Sequence, residues 1–174
     1  GFIVIDQVES QTERKLLFFS SRAEPENIKG YVTGKSADEL GAITRSGGRN
    51  AVHMVAYMMP VARPDEKIAE SVQLLLDAGL DPMSRDDYGQ TPLHYAVRNG
   101  NEVALGSLLK AGADPNAADS EYGNTPLHLA ATLKADKFIR DLVVAGGDPK
   151  LIRKNGEDAV RIYEKFHSKP FPTE

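Results

Sequence analysis

Apolar residues recur along this chain at helical spacing, in pairs of short segments. Leu93, Ala96 and Val97 fall on one face of a first helix, and Val103, Leu105, Leu108 and Leu109 on one face of a second. Polar and turn residues bracket each segment. Thr91 stands where an N-cap accepts from an orphan amide of the first turn. Pro92 occupies the first helical position, where a missing N–H costs nothing, and Gly112 falls where the second helix must end on a residue tolerant of positive φ. The whole arrangement returns 34 positions on: Gly89-Gln90-Thr91-Pro92-Leu93-His94 becomes Gly123-Asn124-Thr125-Pro126-Leu127-His128, and the stop at Leu108-Leu109-Lys110-Ala111-Gly112 becomes Leu142-Val143-Val144-Ala145-Gly146. Two short helices and a turn cannot bury their apolar faces alone, so neighbouring copies must cover them, and at least three stacked units are expected.

These motifs resemble the ankyrin-repeat family, whose unit opens on G-x-T-P-L-H, continues through two small residues and closes with a Leu-Leu pair on G-A-D. The resemblance implies an all-α ankyrin-repeat solenoid of helix-turn-helix units with β-turn-like fingers and divergent terminal caps. Residues 86–118 fit the pattern almost without departure. Residues 119–152 fit it with one extra residue in the Ala117 to Tyr122 turn and with Lys134 where a glycine is usual. An earlier copy, 45–85, ends on Leu75-Leu76-Asp77-Ala78-Gly79 and opens on Gly48-Arg49-Asn50-Ala51-Val52-His53. Its His53 to Leu75 interval is eight residues longer than His94 to Leu108. The expected place for that insertion is the inter-helix connection 58–65, because Pro60 and Pro64 cannot sit inside a helix.

Both ends diverge. Residues 153–174 keep the turn glycine, Gly156, but replace the TPLH residues, and a half-apolar helix follows that suits a capping repeat with one face in water. Residues 1–44 have the rhythm of a divergent repeat or helical cap, from Leu16-Leu17-Phe18-Phe19 through Ile28 to Val32. Ser36 and Glu39 are placed to form a capping box, and Phe2-Ile3-Val4-Ile5 are too apolar for a free tail, fitting either a segment packed on the first repeat or part of a preceding segment. About four to five units result.

Composition narrows the function mainly by exclusion. The chain of 174 residues is 41% hydrophobic and 26% charged, ordinary for a folded domain. A net charge of −4 with interspersed Lys and Arg points away from nucleic acid. No run approaches the roughly 18 apolar residues that span a bilayer, so membrane insertion is not expected. No cationic, apolar, small-residue leader is recognisable, and a start on Gly1 rather than Met is what a piece of a longer chain would show. Zero cysteines exclude disulfides, thiolate zinc and cysteine catalysis together.

Candidate chemistry is thin. His53, His94 and His128 recur about one repeat apart, which in a stack separates them by roughly 10 Å. Zinc holds its nitrogens at about 2.0 to 2.1 Å, so these histidines cannot share an ion, and no metal or cofactor is implied. In the family resembled, the TPLH histidine organises the turn by hydrogen bonding across it. The carboxylates Asp86, Asp87, Asp114, Asp119, Glu121 and Asp148 occupy turn positions, where Asp bonds its own backbone. Ser46-Gly47-Gly48 lacks the Lys-Ser/Thr of a phosphate loop, and no G-x-S-x-G elbow occurs. The expectation is a chain that is not an enzyme.

What the resemblance does imply is a surface, since in this family turn tips and first helices form a concave face for another protein. By register the candidate partner-binding residues are Arg49, Tyr57 and Met58; Asp87, Tyr88, Gln90, Arg98 and Asn99; Glu121, Tyr122, Asn124 and Leu133; and Lys154 with Phe166. Tyr88 and Tyr122 share one turn position, and Tyr57, Met58, Leu133 and Phe166 put large apolar groups where exposure is expected. Aromatics and Arg dominate interface energetics. The expected role is a non-enzymatic interaction module, monomeric in isolation, in a scaffold or a bacterial effector acting on host proteins. The expected setting is cytoplasmic, in the host's cytoplasm for a secreted effector. The alternative is an inhibitor or immunity protein that occludes the active site of an enzyme or toxin.

Overall fold

The computed structural model describes residues 14–172; the apolar stretch Phe2 to Ile5 lies outside them. A helix, α1, already runs at residue 14 and ends at 21. It is followed by α2 (Pro25–Val32), α3 (Ala37–Ala42), α4 (Ala51–Tyr57), a single 3-10 turn (Pro60–Ala62) and α5 (Asp65–Asp77). Then come α6 (Pro92–Arg98), α7 (Glu102–Lys110), α8 (Pro126–Leu133), α9 (Asp136–Val144) and α10 (Ala159–His167). Among the described residues there is no β-strand, only isolated bridges such as Arg45 with Arg49.

The helices stack in two rows. In one row α4 packs on α6, α6 on α8 and α8 on α10; in the other α2 packs on α5 and α5 on α7. Three helices of the first row also lie against the partner that follows them, α4 on α5, α6 on α7 and α8 on α9. The apolar faces therefore merge into one continuous core from Leu16 to Phe171. That core stabilises the stack at about 25 cal/mol per Å² of apolar surface removed from water. At the C-terminal end Tyr163 is enclosed, its ring 5.7 Å from that of Phe171 and its hydroxyl donating to Asp136 at 2.8 Å.

Several helix starts follow the caps that the sequence carries. Ser36 and Glu39 form the expected capping box, and Asp158 accepts from the Arg161 amide at 2.8 Å. Lys134, standing where a glycine is usual, does take the left-handed conformation at the end of α8, with φ 54°.

The insertion in the 45–85 copy lengthens two parts of it. The connection from α4 to α5 is longer than that from α6 to α7, and α5 itself has 13 residues against 9 in α7. The prolines mark the limit: Pro60 opens the 3-10 turn and Pro64 caps α5, so added residues beyond Pro64 are free to join the helix. Asn101, fully buried, holds the start of this connection. Its Nδ2 donates to the carbonyls of Val55 and Met58, both at 3.2 Å, while its Oδ1 caps α7 through the Ala104 amide at 3.0 Å. Asn101→Ala is expected to cost about 2 kcal/mol, from a lost cap and buried carbonyls left short of a donor. An unchanged urea midpoint would mean that the connection is held some other way.

Candidate functional site

Hairpin-like fingers connect each second helix to the first helix of the next unit, each closed by one backbone bond. Asp86 donates to the Gln90 carbonyl at 3.0 Å, Asp119 to Asn124 at 2.9 Å and Arg153 to Glu157 at 3.0 Å. The middle finger spans one residue more than its neighbours, and the extra residue is Glu121, between Ser120 and Tyr122. Fingers join edge to edge through the amides of Asp87, Ser120 and Lys154, which donate at 2.9 Å to the carbonyls of Gly47, Tyr88 and Tyr122. Tyr88 and Tyr122 thus hold equivalent positions, and Gly47 and Asn155 take that position in the outer fingers.

Two of the repeated histidines, His53 and His94, tie their units to the next. His94 Nε2 lies 2.7 Å from the Asn124 carbonyl, and His53 Nε2 lies 2.9 Å from that of Gln90. A carbonyl only accepts, so Nε2 carries the proton. Nδ1 of His94 is left to accept from the Thr91 amide at 3.0 Å, with the Thr91 hydroxyl 2.9 Å away. Thr91 is the N-cap, but its hydroxyl faces the imidazole; in the next copy Thr125 Oγ1 accepts from the His128 amide at 3.4 Å as well as meeting the ring. Burial pushes His94 down to about 4, against the pull of the Asn124 carbonyl, and lowers His53 and His128 also. Among the described residues His128 Nε2 makes no well-aligned hydrogen bond, although the Leu151 and Glu157 carbonyls lie near enough to favour its proton.

A groove runs along the fingers and the first helices, and it brings many candidate residues together: Arg49, Tyr57, Tyr88, Gln90, Arg98, Glu121, Tyr122 and Asn124. Tyr88 and Tyr122 are 53% and 57% exposed. The structure adds Tyr95, Asp119 and Leu129 to the lining, none of which was singled out for the surface because helix and turn roles accounted for them. Tyr95 forms the floor. Its ring meets those of His53 and Tyr57 edge to face at 5.4 and 5.9 Å, the Arg98 guanidinium lies 5.6 Å from its centroid, and its hydroxyl donates to Asp86 Oδ2 at 2.6 Å. Burial, with help from that carboxylate, raises the Tyr95 phenol above its ordinary value.

Other candidates lie elsewhere. Met58 was expected to be exposed and is only 6% so; as the cap of α4 it turns into the core beneath the connection that Asn101 holds. Gln90 and Asn124 line the groove but are each 8% exposed, their carbonyls committed to the histidines. Asn99 caps α6, its amide donating to the Tyr95 carbonyl at 3.0 Å. Asp87 is exposed on its finger, and Lys154 borders a smaller hollow with Tyr122, Arg153 and Asn155. Leu133 and Phe166 are exposed outside the groove. Among the described residues no helix is long and apolar enough to cross a membrane, and no three His, Cys, Asp or Glu side chains are grouped to hold a metal.

Comparison with known proteins gives one consistent answer. A family model described as ankyrin repeats in three copies matches residues 34–119 and, in a second overlapping alignment, 58–155. The chain is similar to human ankyrin repeat and MYND domain-containing protein 1, 38% identical over 76 residues that make up 43% of this chain and 8% of that protein. It is similar to human protein fem-1 homolog A, 43% identical over 49 residues, 28% of this chain and 7% of that one. To human rabankyrin-5 it is 32% identical over 79 residues, 44% of this chain and 7% of that one. The chain thus spans less than a tenth of the length of these relatives.

Proposed function

Because the chain belongs to the ankyrin-repeat family, whose repeats are in general protein–protein interaction modules, we propose that it works by holding another protein in the groove between its fingers and first helices. The observation that carries this reading is the row of half-exposed tyrosines, Tyr57, Tyr88 and Tyr122, set with Arg49 and Arg98 around the buried Tyr95. Exposed aromatics cost water contact that a monomer gains nothing from, and with Arg they are the anchors that dominate interface energies. The hydrogen-bonded fingers hold these anchors in place before the partner arrives, so little conformational entropy is lost on association. Occupancy rather than bond-breaking is the proposed action. Scaffolding or occlusion follows from that, and fold alone does not choose between them.

Replacing Tyr88 and Tyr122 together with alanine is expected to weaken partner binding by about 2 kcal/mol or more, roughly thirtyfold, with the melting curve unchanged. Affinity capture from lysate, comparing parent and double variant by mass spectrometry, reads the effect. Equal recovery of every captured protein from a folded variant would sink the proposal.

A further inference from the structure

The two middle repeats differ at one point in the groove wall. In the first, Asp86 uses Oδ1 to accept from the amides of Tyr88 and Gln90, at 2.9 and 2.8 Å, and its Oδ2 receives the Tyr95 hydroxyl. In the second, Asp119 Oδ1 does the same work for its finger, accepting from Tyr122, Gly123 and Asn124 at 2.8, 2.9 and 3.3 Å. The residue at the register of Tyr95 is now Leu129, which cannot donate. Asp119 Oδ2 consequently has no hydrogen-bond partner among the described residues, in a side chain only 4% exposed. An unpaired buried carboxylate oxygen is costly, and the chain itself shows how the cost is removed one repeat earlier.

We propose that the groove takes an extended segment of a partner protein by a basic side chain, whose N–H donors supply Asp119 Oδ2 with the bond that Tyr95 gives Asp86. The inference rests on the reading of the groove as the partner-binding face. Charge selects the donor. Glu121, on the same finger as Asp119, lies close enough to the Tyr122 hydroxyl to raise its pKa and has no cationic partner among the described residues. A hydroxyl would satisfy one oxygen; a guanidinium or ammonium satisfies it and also faces two carboxylates. Arg49 and Arg98, one repeat back around Tyr95, have no carboxylate partner among the described residues, so that end of the groove suits an acidic residue of the same segment. Leu129, half-buried in the groove lining, stands along the path that Tyr95 takes to its aspartate. It must turn aside for the donor, and it then offers an apolar bed for the aliphatic stem.

The test selects displayed random linear peptides against the whole chain and measures the winners on four proteins: parent, Leu129→Tyr, Asp119→Asn and the Tyr88/Tyr122 double alanine variant. Leu129→Tyr restores the internal donor; Asp119→Asn keeps the oxygen that ties the finger and turns the other position into a donor. The expected result is peptides enriched in Arg or Lys that bind both single variants about tenfold or more weakly than parent, with Leu129→Tyr melting higher than parent. Should Leu129→Tyr not fold, Asp119→Asn decides alone. Basic peptides that bind both single variants as tightly as parent, or winners without basic residues, overturn the inference, while their loss on the double tyrosine variant keeps the groove reading intact. Winners indifferent to the tyrosine pair overturn that reading and this one with it.

Discussion

Gly89→Ala is expected to cost about 3 kcal/mol of unfolding free energy, far more than an added methyl costs on most surfaces. Gly89 has φ +72°, where an L residue loses roughly 1 to 2 kcal/mol. The larger effect is contact: a Cβ there would lie 2.8 Å from the Ser120 backbone nitrogen and closer still to the Ser120 hydroxyl. That nitrogen is the donor that joins the two fingers, so the methyl can be housed only by parting them. Gly48 meets the Asp87 nitrogen at 2.9 Å in the preceding pair of fingers, so the close approach is a property of the stack. Gly112 supplies the control. Its φ is +84° with nothing within 4 Å of a built Cβ, so Gly112→Ala should cost only the backbone term, about 1 kcal/mol. Urea unfolding of the two variants decides the matter, and equal losses would show that finger contact adds nothing.

Acidification is expected to remove about 3 kcal/mol of stability through His94 alone. Its folded value near 4 lies below the unfolded value near 6.5, so on acidification the unfolded chain takes the proton first. The contribution is whole above pH 6.5 and is lost as pH falls from 6.5 towards 4. At about 1.4 kcal/mol per unit of difference, roughly 2 kcal/mol has gone by pH 5, before most carboxylates begin to titrate. His53 and His128, also lowered by burial, steepen the fall. The physical event is the conversion of Nδ1 from acceptor to donor, which sets it against the Thr91 amide. Urea unfolding at pH 7, 6 and 5 checks this. A flat free energy across that range would contradict the buried neutral imidazole.

The repeat itself was legible in the residues because its determinants are local. A Thr-Pro start, a histidine three residues into the turn and a positive-φ glycine each act within one turn of chain, so their recurrence exposes the period. The eight added residues in the 45–85 copy were countable, but their division between the connection and α5 was not. Periodicity cannot say where a helix stops gaining from extension, and Asn101, which anchors the connection, acts across more than forty positions. Of the groove, the tyrosine and arginine rim followed from register. Met58 did not, because its burial depends on how the connection folds back. The Tyr95 floor and the unpaired oxygen of Asp119 were hidden for a similar reason. Position 129 can be aligned with 95 by counting, yet nothing in the sequence links a helix residue to a carboxylate nine positions before it until the structure brings them within 2.6 Å.

The joint that follows His128 is fastened differently from the two before it. Each of the first two joints between fingers is tied in both directions: a later amide donates back to an earlier carbonyl, and an earlier imidazole donates forward. Such a joint resists both sliding and opening. The third keeps the backward tie from Lys154 to Tyr122 and adds two in the same direction, from Lys154 Nζ to the Ser120 carbonyl and from an Arg153 guanidinium N–H to Asn124 Oδ1 at 3.4 Å. Direction is thus written into the fastening: the earlier units reach forward with imidazoles, and the last unit reaches back with its own cations.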